Sequence, residues 1–164
     1  MLIPTQDECI RILKENDVPD NIIAHTKAVC RFALRAVDFL DKNGIPVNRD
    51  LVAAGALLHD IKKLSKNDHV VEGYTLIKSM GYDEVALTIK RHGLANLHDS
   101  DFVPKTWEEK IVFYADKRVK DDKVVSLEQR FEYIRQRYKR EETEHEYKYA
   151  KEIEKEIFGD EVLN

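Results

Sequence analysis

Residues 51–63 read LVAAGALLHDIKK, the most apolar run of the chain, which leads directly into a histidine and an aspartate. Hydrophobic periodicity does not separate a buried helix from a buried strand in such a run, but its alanines favour a helix. We predict that residues 51–58 form the central helix of a bundle, with Gly55 allowing a neighbour to approach closely. His59 and Asp60 would then end a buried segment.

The rest of the sequence also predicts helices, because glycine and proline are few and no strand-turn-strand alternation is visible. Capping residues and apolar spacing set the expected bounds. The first predicted helix runs from a capping box at Thr5 and Glu8 to before Pro19, the second from a cap at Asp20 to about Asn43-Gly44, and the third from Asn48 or Asp50 through residue 58. Two more are predicted over about 68–80 and 83–92, on either side of Gly81. After a loop over 93–105, a sixth helix is predicted from a capping box at Thr106 and Glu109 to about Lys120.

The segment from 126 to 158 is highly charged but carries apolar residues at helical spacing. These apolar residues are Phe131, Ile134, Tyr138, Ala150, Ile153 and Ile157. We predict one or two amphipathic helices packed on the outside of a core formed by residues 20–120. Since no repeat or low-complexity linker is present, we expect a single all-α domain over 1–164.

The composition is 43% hydrophobic, which is ordinary for a globular domain. With 27 basic and 31 acidic residues the net charge is −4, which argues against a protein that coats DNA or RNA. No apolar run reaches the roughly 20 residues that span a bilayer, and no secretory signal is visible. Cys9 and Cys30 form no metal or redox motif and are expected to be small buried hydrophobes. We therefore expect a cytoplasmic protein with no membrane partner.

Several polar side chains fall on apolar helix faces or end an apolar segment. His25 shares a helical face with Val29 and Phe32, for example. The full set is His25, His59, Asp60, His92 and Asp116. A hydrogen bond to a carbonyl would explain one such histidine, but buried carboxylates need a compensating cation. A divalent metal ion satisfies the whole set through nitrogen and oxygen ligands.

The order of these residues resembles a known family. His25, the adjacent His59 and Asp60, and the distant Asp116 are similar to the H…HD…D signature of the HD superfamily of metal-dependent phosphohydrolases. Residues 56–63 resemble the apolar-HDIGK segment of that family, with a lysine at position 62 replacing the usual glycine.

Further segments extend this resemblance to residues 20–120. Residues 115–117 resemble the AD segment of the family. His69, followed later by Arg91-His92, resembles the extra histidines of the binuclear branches, which include hydrolases of symmetrical dinucleoside tetraphosphates.

The resemblance implies an HD-type helical bundle that holds divalent metal ions, two in number, with iron or manganese favoured and nickel, cobalt or zinc also compatible. The implied ligands are His25, His59, Asp60 and Asp116 for one ion, with Asp60 bridging to a second ion held by His69 and His92. A bridging water between the ions would attack phosphorus. The expected substrate is a phosphorylated small molecule, a nucleotide in particular.

The resemblance also implies roles around the metal ions. Asp60 and Lys63 are the predicted catalytic residues, and Lys63 is also predicted to bind substrate. Independently of the resemblance, Lys62, Lys66, Arg91 and Arg118 lie near the ligands in sequence and would form a locally positive mouth, where Arg118 is predicted to bind substrate. His98 is expected at the rim or surface, and His145 in solvent.

Two other functions stay open on the sequence. The first is an HD-fold module that binds or senses a nucleotide without turnover, because Lys62 departs from the family's glycine. The second is a metal-dependent oxygenase, because an iron pair in a related fold performs redox chemistry. Steady hydrolysis of a generic phosphodiester or nucleotide would discriminate the phosphohydrolase from the sensing module.

Overall fold

The computed structural model describes residues 1–139 and 143–164. Its regular elements are α1 (Gln6–Glu15), α2 (Asp20–Lys42), α3 (Arg49–Leu58), α4 (His69–Ser79), α5 (Asp83–Lys90), α6 (Trp107–Lys117), β1 (Val119–Lys120), β2 (Lys123–Val124), α7 (Leu127–Tyr138) and α8 (Glu144–Phe158). Because the two strands are very short, the predicted all-α helical fold is confirmed.

The central element is α3, as the sequence predicted. Every residue from Leu51 to Leu58 is buried, and the helix packs against α1, α2, α5 and α6. A Cβ atom added at Gly55 would lie 2.3 Å from Oγ1 of Thr88 in α5. The predicted close approach at Gly55 is therefore confirmed, and it brings α5 against the helix that carries the His59-Asp60 pair.

We expect Gly55→Ala to lower the free energy of unfolding by about 1–3 kcal/mol, because an inserted methyl group must displace a packed side chain. Thr88 cannot rotate away freely, since its hydroxyl donates to the carbonyl of Val85 at 2.7 Å. Urea unfolding would measure the change. The double variant Gly55→Ala/Thr88→Ala should lose less stability than the sum of the two single variants. Unchanged stability of Gly55→Ala would contradict this account of the contact.

Capping accounts for most helix starts. Both predicted capping boxes are present, and Asn48, rather than Asp50, caps α3 by accepting from the amide of Leu51 at 3.1 Å. The predicted cap at Asp20 is wrong by one residue. Pro19 is the N-cap of α2 and its carbonyl accepts from the amides of residues 22 and 23, while Asp20 is the first helical residue, where its charge suits the helix dipole.

The helix predicted to continue to Lys120 ends earlier. α6 stops at Lys117, and β1 pairs with β2 in an antiparallel hairpin that the sequence analysis missed. Asp121 turns the chain with φ +55°, a left-handed conformation that aspartate tolerates. β-branched valines at both ends of the hairpin favour strand over helix.

The charged C-terminal segment forms the two amphipathic helices α7 and α8, although residues 140–142 of the predicted range 126–158 lie outside the described residues. α8 packs on α2 and α6, with Ile153 and Ile157 buried. Tyr138 differs from the prediction, because 53% of its surface is exposed. Cys9 and Cys30 are buried free thiols, as expected. Within the described residues, no helix is at once long enough and apolar enough to cross a bilayer.

Candidate metal centre

The six ligands implied by the resemblance lie together at one end of α3. They form two groups that share Asp60, and within each group one ligand atom from every residue lies within 4.8 Å of the others. The first group is His25, His59, Asp60 and Asp116, and the second is Asp60, His69 and His92. Five separate parts of the chain contribute to this set of six candidate ligands, called the metal cluster below. The fold, rather than any local motif, therefore assembles it.

The second group depends on the hairpin of α4 and α5. His69 is the first residue of α4, and His92 follows the end of α5, whose last residue is Lys90. The connection turns at Gly81 with φ +88°, a conformation that favours glycine. The imidazole rings of His69 and His92 are 5.8 Å apart between centroids. The predicted meeting of these two histidines is therefore confirmed.

Three of the imidazoles are fixed by backbone carbonyls. Nδ1 of His59 lies 2.7 Å from the carbonyl of Ala56, and Nδ1 of His92 lies 2.6 Å from that of Ile89. Nδ1 of His25 lies 2.7 Å from the carbonyl of residue 121 in the β-hairpin. A carbonyl oxygen can only accept, so each Nδ1 donates. In a neutral ring, Nε2 then carries a lone pair.

These Nε2 atoms face carboxylates, which are also acceptors. Nε2 of His25 lies 3.1 Å from Oδ1 of Asp116, and Nε2 of His59 lies 3.3 Å from the same oxygen and 3.4 Å from Oδ2 of Asp60. Nε2 of His59 is fully buried without a hydrogen-bond partner among the described residues. Nitrogen and carboxylate oxygen atoms that converge in this way need a cation between them, either a proton on the imidazole or a bound metal ion.

The charges of the metal cluster lead to the same requirement. Burial alone would lower the pKa of His59, yet the carboxylates of Asp60 and Asp116 raise it to about 10. Burial opposes ionisation of both aspartates, but the charge of His59 at Asp60, and the charges of Lys117 and His59 at Asp116, hold their pKa values well below the usual range. Two buried carboxylates thus persist as anions, and positive charge is needed at the point where they meet.

His69 and His92 differ from His59 in charge. Burial is the main cause that lowers the pKa of both, to about 4 for His69, where the nearby His92 adds to the effect. Both are therefore neutral near pH 7, the form of imidazole that binds metal. Their Nε2 atoms lie 3.8 and 3.7 Å from Oδ1 of Asp60. The donor set, imidazole nitrogen with carboxylate oxygen, fits two divalent cations bridged by Asp60.

Lys117 supports the metal cluster, a role the sequence analysis did not assign. Its buried ammonium group donates to Oδ2 of Asp116 at 2.5 Å and to the carbonyl of His92 at 2.9 Å. Lys117 thereby links Asp116 of the first ligand group to His92 of the second. Its position directly after Asp116 in the AD segment was the feature of the sequence that could have indicated this role.

Lys63 lies at the mouth of the metal cluster, where the sequence predicted a phosphate-binding lysine. It is exposed, and the charge of Asp60 raises its pKa, so the ammonium form persists. The neighbouring Lys62 does not adopt a positive φ. The backbone there accommodates a side chain without strain, so the replacement of the family's glycine leaves the turn intact.

The structure does not bring Arg118 to this mouth, which corrects the substrate-binding role predicted for it. Its guanidinium group is buried and donates to the hydroxyl of Tyr114 and to the carbonyls of Val125 and Leu163. A substrate cannot reach donors that are already enclosed and paired. Arg91 is committed in the same way, to the carboxylate of Glu109 at 2.7 Å.

The other two histidines lie away from the metal cluster. His98 and His145 are both exposed and line a shallow surface depression formed by the loop after α5 and the start of α8. This placement agrees with the surface positions expected for them. Neither belongs to the groups that could hold a metal ion in the described part of the chain.

Two cavities of about 420 and 410 Å³ adjoin the metal cluster. Both are lined by Asp60, Lys63, Arg130 and Tyr138. The first, called the hairpin cavity, is also lined by residues that include His25, Lys120 and Tyr133. The second, called the loop cavity, is also lined by residues that include His69, Lys117 and Leu94. Together they form a groove over the metal cluster.

Arg130 and Tyr138 were missed as site residues because the segment from 126 was expected to be an outer layer. Arg130 lies three residues after Leu127 and four before Ile134, both buried. A basic residue on an apolar helical face was the available signal.

Comparison with known proteins agrees with this geometry. The family model of the HD domain matches residues 22–121. A tRNA (cytidine(56)-2'-O)-methyltransferase of Picrophilus torridus is 38% identical over 140 residues, which cover 77% of this chain but 40% of the methyltransferase. An uncharacterised protein of Methanocaldococcus jannaschii is 33% identical over 138 residues, which cover 73% of this chain and 81% of that protein.

A third relative carries a named phosphodiesterase activity. The dihydroneopterin 2',3'-cyclic phosphate phosphodiesterase of Methanocaldococcus jannaschii is 36% identical over 86 residues, which cover 49% of this chain and 31% of the enzyme. No solved structure matches the chain significantly. Since the family match covers more than half of the sequence and includes the H…HD…D residues, the chain belongs to the HD domain family.

Proposed function

We propose that this protein is a metal-dependent phosphohydrolase that cleaves a phosphate ester or anhydride of a small molecule, a nucleotide in particular. The observation that carries the proposal is the arrangement of His25, His59 and His92. Each donates through Nδ1 to a carbonyl and directs Nε2 at a buried carboxylate. Acceptors arranged in this way hold divalent ions, and HD domains bind such ions.

Hydrolysis is favoured over methyl transfer by the candidate metal ligands rather than by the comparisons. The similarity covers 31% of the relative named as a phosphodiesterase and 40% of the methyltransferase, so most of each protein lies outside it. A cluster of histidines and aspartates also supplies metal ligands, which suit water activation at phosphorus.

The proposed roles of the residues follow from their positions. His25, His59 and Asp116 would hold one ion, His69 and His92 the other, and Asp60 would contact both. Such a pair of ions, when bound, lowers the pKa of water and offsets charge on a phosphoryl group. Lys63, an exposed residue that lines the same cavity as Asp60, would bind a phosphate oxygen. Lys117 would fix the orientation of Asp116 by its hydrogen bond.

The test combines metal analysis with a substrate screen. We expect the protein purified with manganese or iron to contain about two ions per chain, and to release phosphate or a phosphomonoester from members of a panel of nucleotides and cyclic phosphates. Chelation should abolish activity but leave the far-ultraviolet circular dichroism helical, because the apolar core does not include the ions. Metal-loaded protein that hydrolyses no member of the panel would favour the sensing module instead.

A further inference from the structure

Arg130 has donors that the described structure leaves unused. Its Nε and Nη1 atoms are buried and have no hydrogen-bond partner in residues 1–139 and 143–164. A buried guanidinium donor without a partner is unfavourable, because the charged group has lost its hydrogen bonds to water. Native proteins rarely keep such donors unpaired, except where water, an ion or a ligand supplies the acceptor.

The charged side chains around Arg130 indicate which kind of acceptor it would bind. Arg130 lines the groove with Lys63, and Lys117 lines the loop cavity beside it. Asp116 engages Lys117 at 2.5 Å, and no carboxylate of the described residues pairs with Nε or Nη1 of Arg130. Several cations at the mouth of a metal cluster fit an anion that bears several oxygens.

The shape of the groove indicates what is attached to that anion. The residues shared by the two cavities, Asp60, Lys63, Arg130 and Tyr138, lie where the cavities adjoin, and each cavity extends away from them. Each cavity, at about 420 and 410 Å³, falls in the size range of small-molecule sites. A phosphate bound where the cavities adjoin therefore has room for a substituent in each.

We propose that Arg130 binds the scissile phosphate of a phosphodiester, with one ester group in the hairpin cavity and the other in the loop cavity. This inference rests on the proposed phosphohydrolase function and narrows its substrate to diesters. It also assigns a substrate-binding residue to α7, which lies beyond the matched range 22–121. A residue outside the family signature would then contribute to specificity.

The experiment uses the manganese-loaded full chain and three probes: bis(4-nitrophenyl) phosphate, 4-nitrophenyl phosphate and inorganic phosphate. We expect kcat/KM for the diester to exceed that for the monoester by at least about tenfold. Arg130→Gln should lower kcat/KM for the diester, and weaken calorimetric binding of inorganic phosphate, by about 10- to 100-fold, as expected for a hydrogen bond to a charged group. Metal content should not change.

Arg135→Gln is the matched control. It lies on the same helix, but its guanidinium group is paired with Glu132 and with the hydroxyl of Thr143. This variant should behave like the wild type. Arg130→Lys, which keeps the charge but not the planar fork, should recover part of the loss, and it replaces Arg130→Gln if that variant fails to fold.

The outcomes separate the inference from the proposed function. Wild-type values for Arg130→Gln on both the diester and phosphate would overturn the role of Arg130 and leave the phosphohydrolase standing. Equal or faster cleavage of the monoester by the wild type would overturn the diester class. If the metal-loaded chain cleaves neither ester, but phosphate binding still depends on Arg130, the hydrolase proposal fails and the anion site remains.

Discussion

Asp60→Ala is expected to remove the metal ions and to lower hydrolysis by at least about a thousandfold, or about 4 kcal/mol of transition-state stabilisation. Asp60 is the one residue common to both ligand groups, and its two oxygens face different histidines. Loss of this carboxylate therefore weakens both ion sites at once. Elemental analysis and steady-state kinetics on the substrate found in the screen would measure the two effects.

Lys63→Ala provides the contrast for this experiment. Its ammonium lies at the mouth of the metal cluster and, while protonated, cannot be a ligand. This variant should keep its metal but lose activity, by about 10- to 100-fold for one charged hydrogen bond to phosphate. Asp60→Asn, which preserves shape, separates loss of charge from loss of packing. An Asp60→Ala protein that retained metal and activity would end the proposal of a bridging aspartate.

The sequence was sufficient to predict which residues converge, for a physical reason. A buried carboxylate is costly unless paired, so Asp60 after an apolar helix and Asp116 between two valines already required a cation. Likewise, a helical hairpin with a glycine turn brings its two ends together, which allowed the contact of His69 with His92 to be predicted. These predictions depend on local patterns that tertiary packing does not override.

Other features depended on contacts that no local pattern contains. The β-hairpin after α6 consists of two-residue strands, too short to show alternation, yet the carbonyl of Asp121 in its turn holds Nδ1 of His25. The burial of Arg118 results from its enclosure by Tyr114, the chain after β2 and the residues that follow α8. Sequence proximity to Asp116 therefore gave the wrong role for Arg118.

The double variant His69→Ala/His92→Ala is expected to bind about one metal ion per chain in place of about two, with activity reduced by at least about 100-fold. These two histidines complete only the second ligand group, whereas His25, His59, Asp60 and Asp116 would still hold the first ion. Each ring is neutral near pH 7, and two neutral imidazoles 5.8 Å apart gain little from each other without a shared ion.

The matched control removes two other histidines. His98→Ala/His145→Ala changes exposed side chains outside both ligand groups, so it should retain two ions and full activity. Elemental analysis after gel filtration would give the stoichiometry of both double variants. If the His69/His92 variant still bound two ions, the second group could not be a metal site. If the wild type bound only one, the mononuclear arrangement around Asp116 would stand alone, because its four ligands suffice for a single ion.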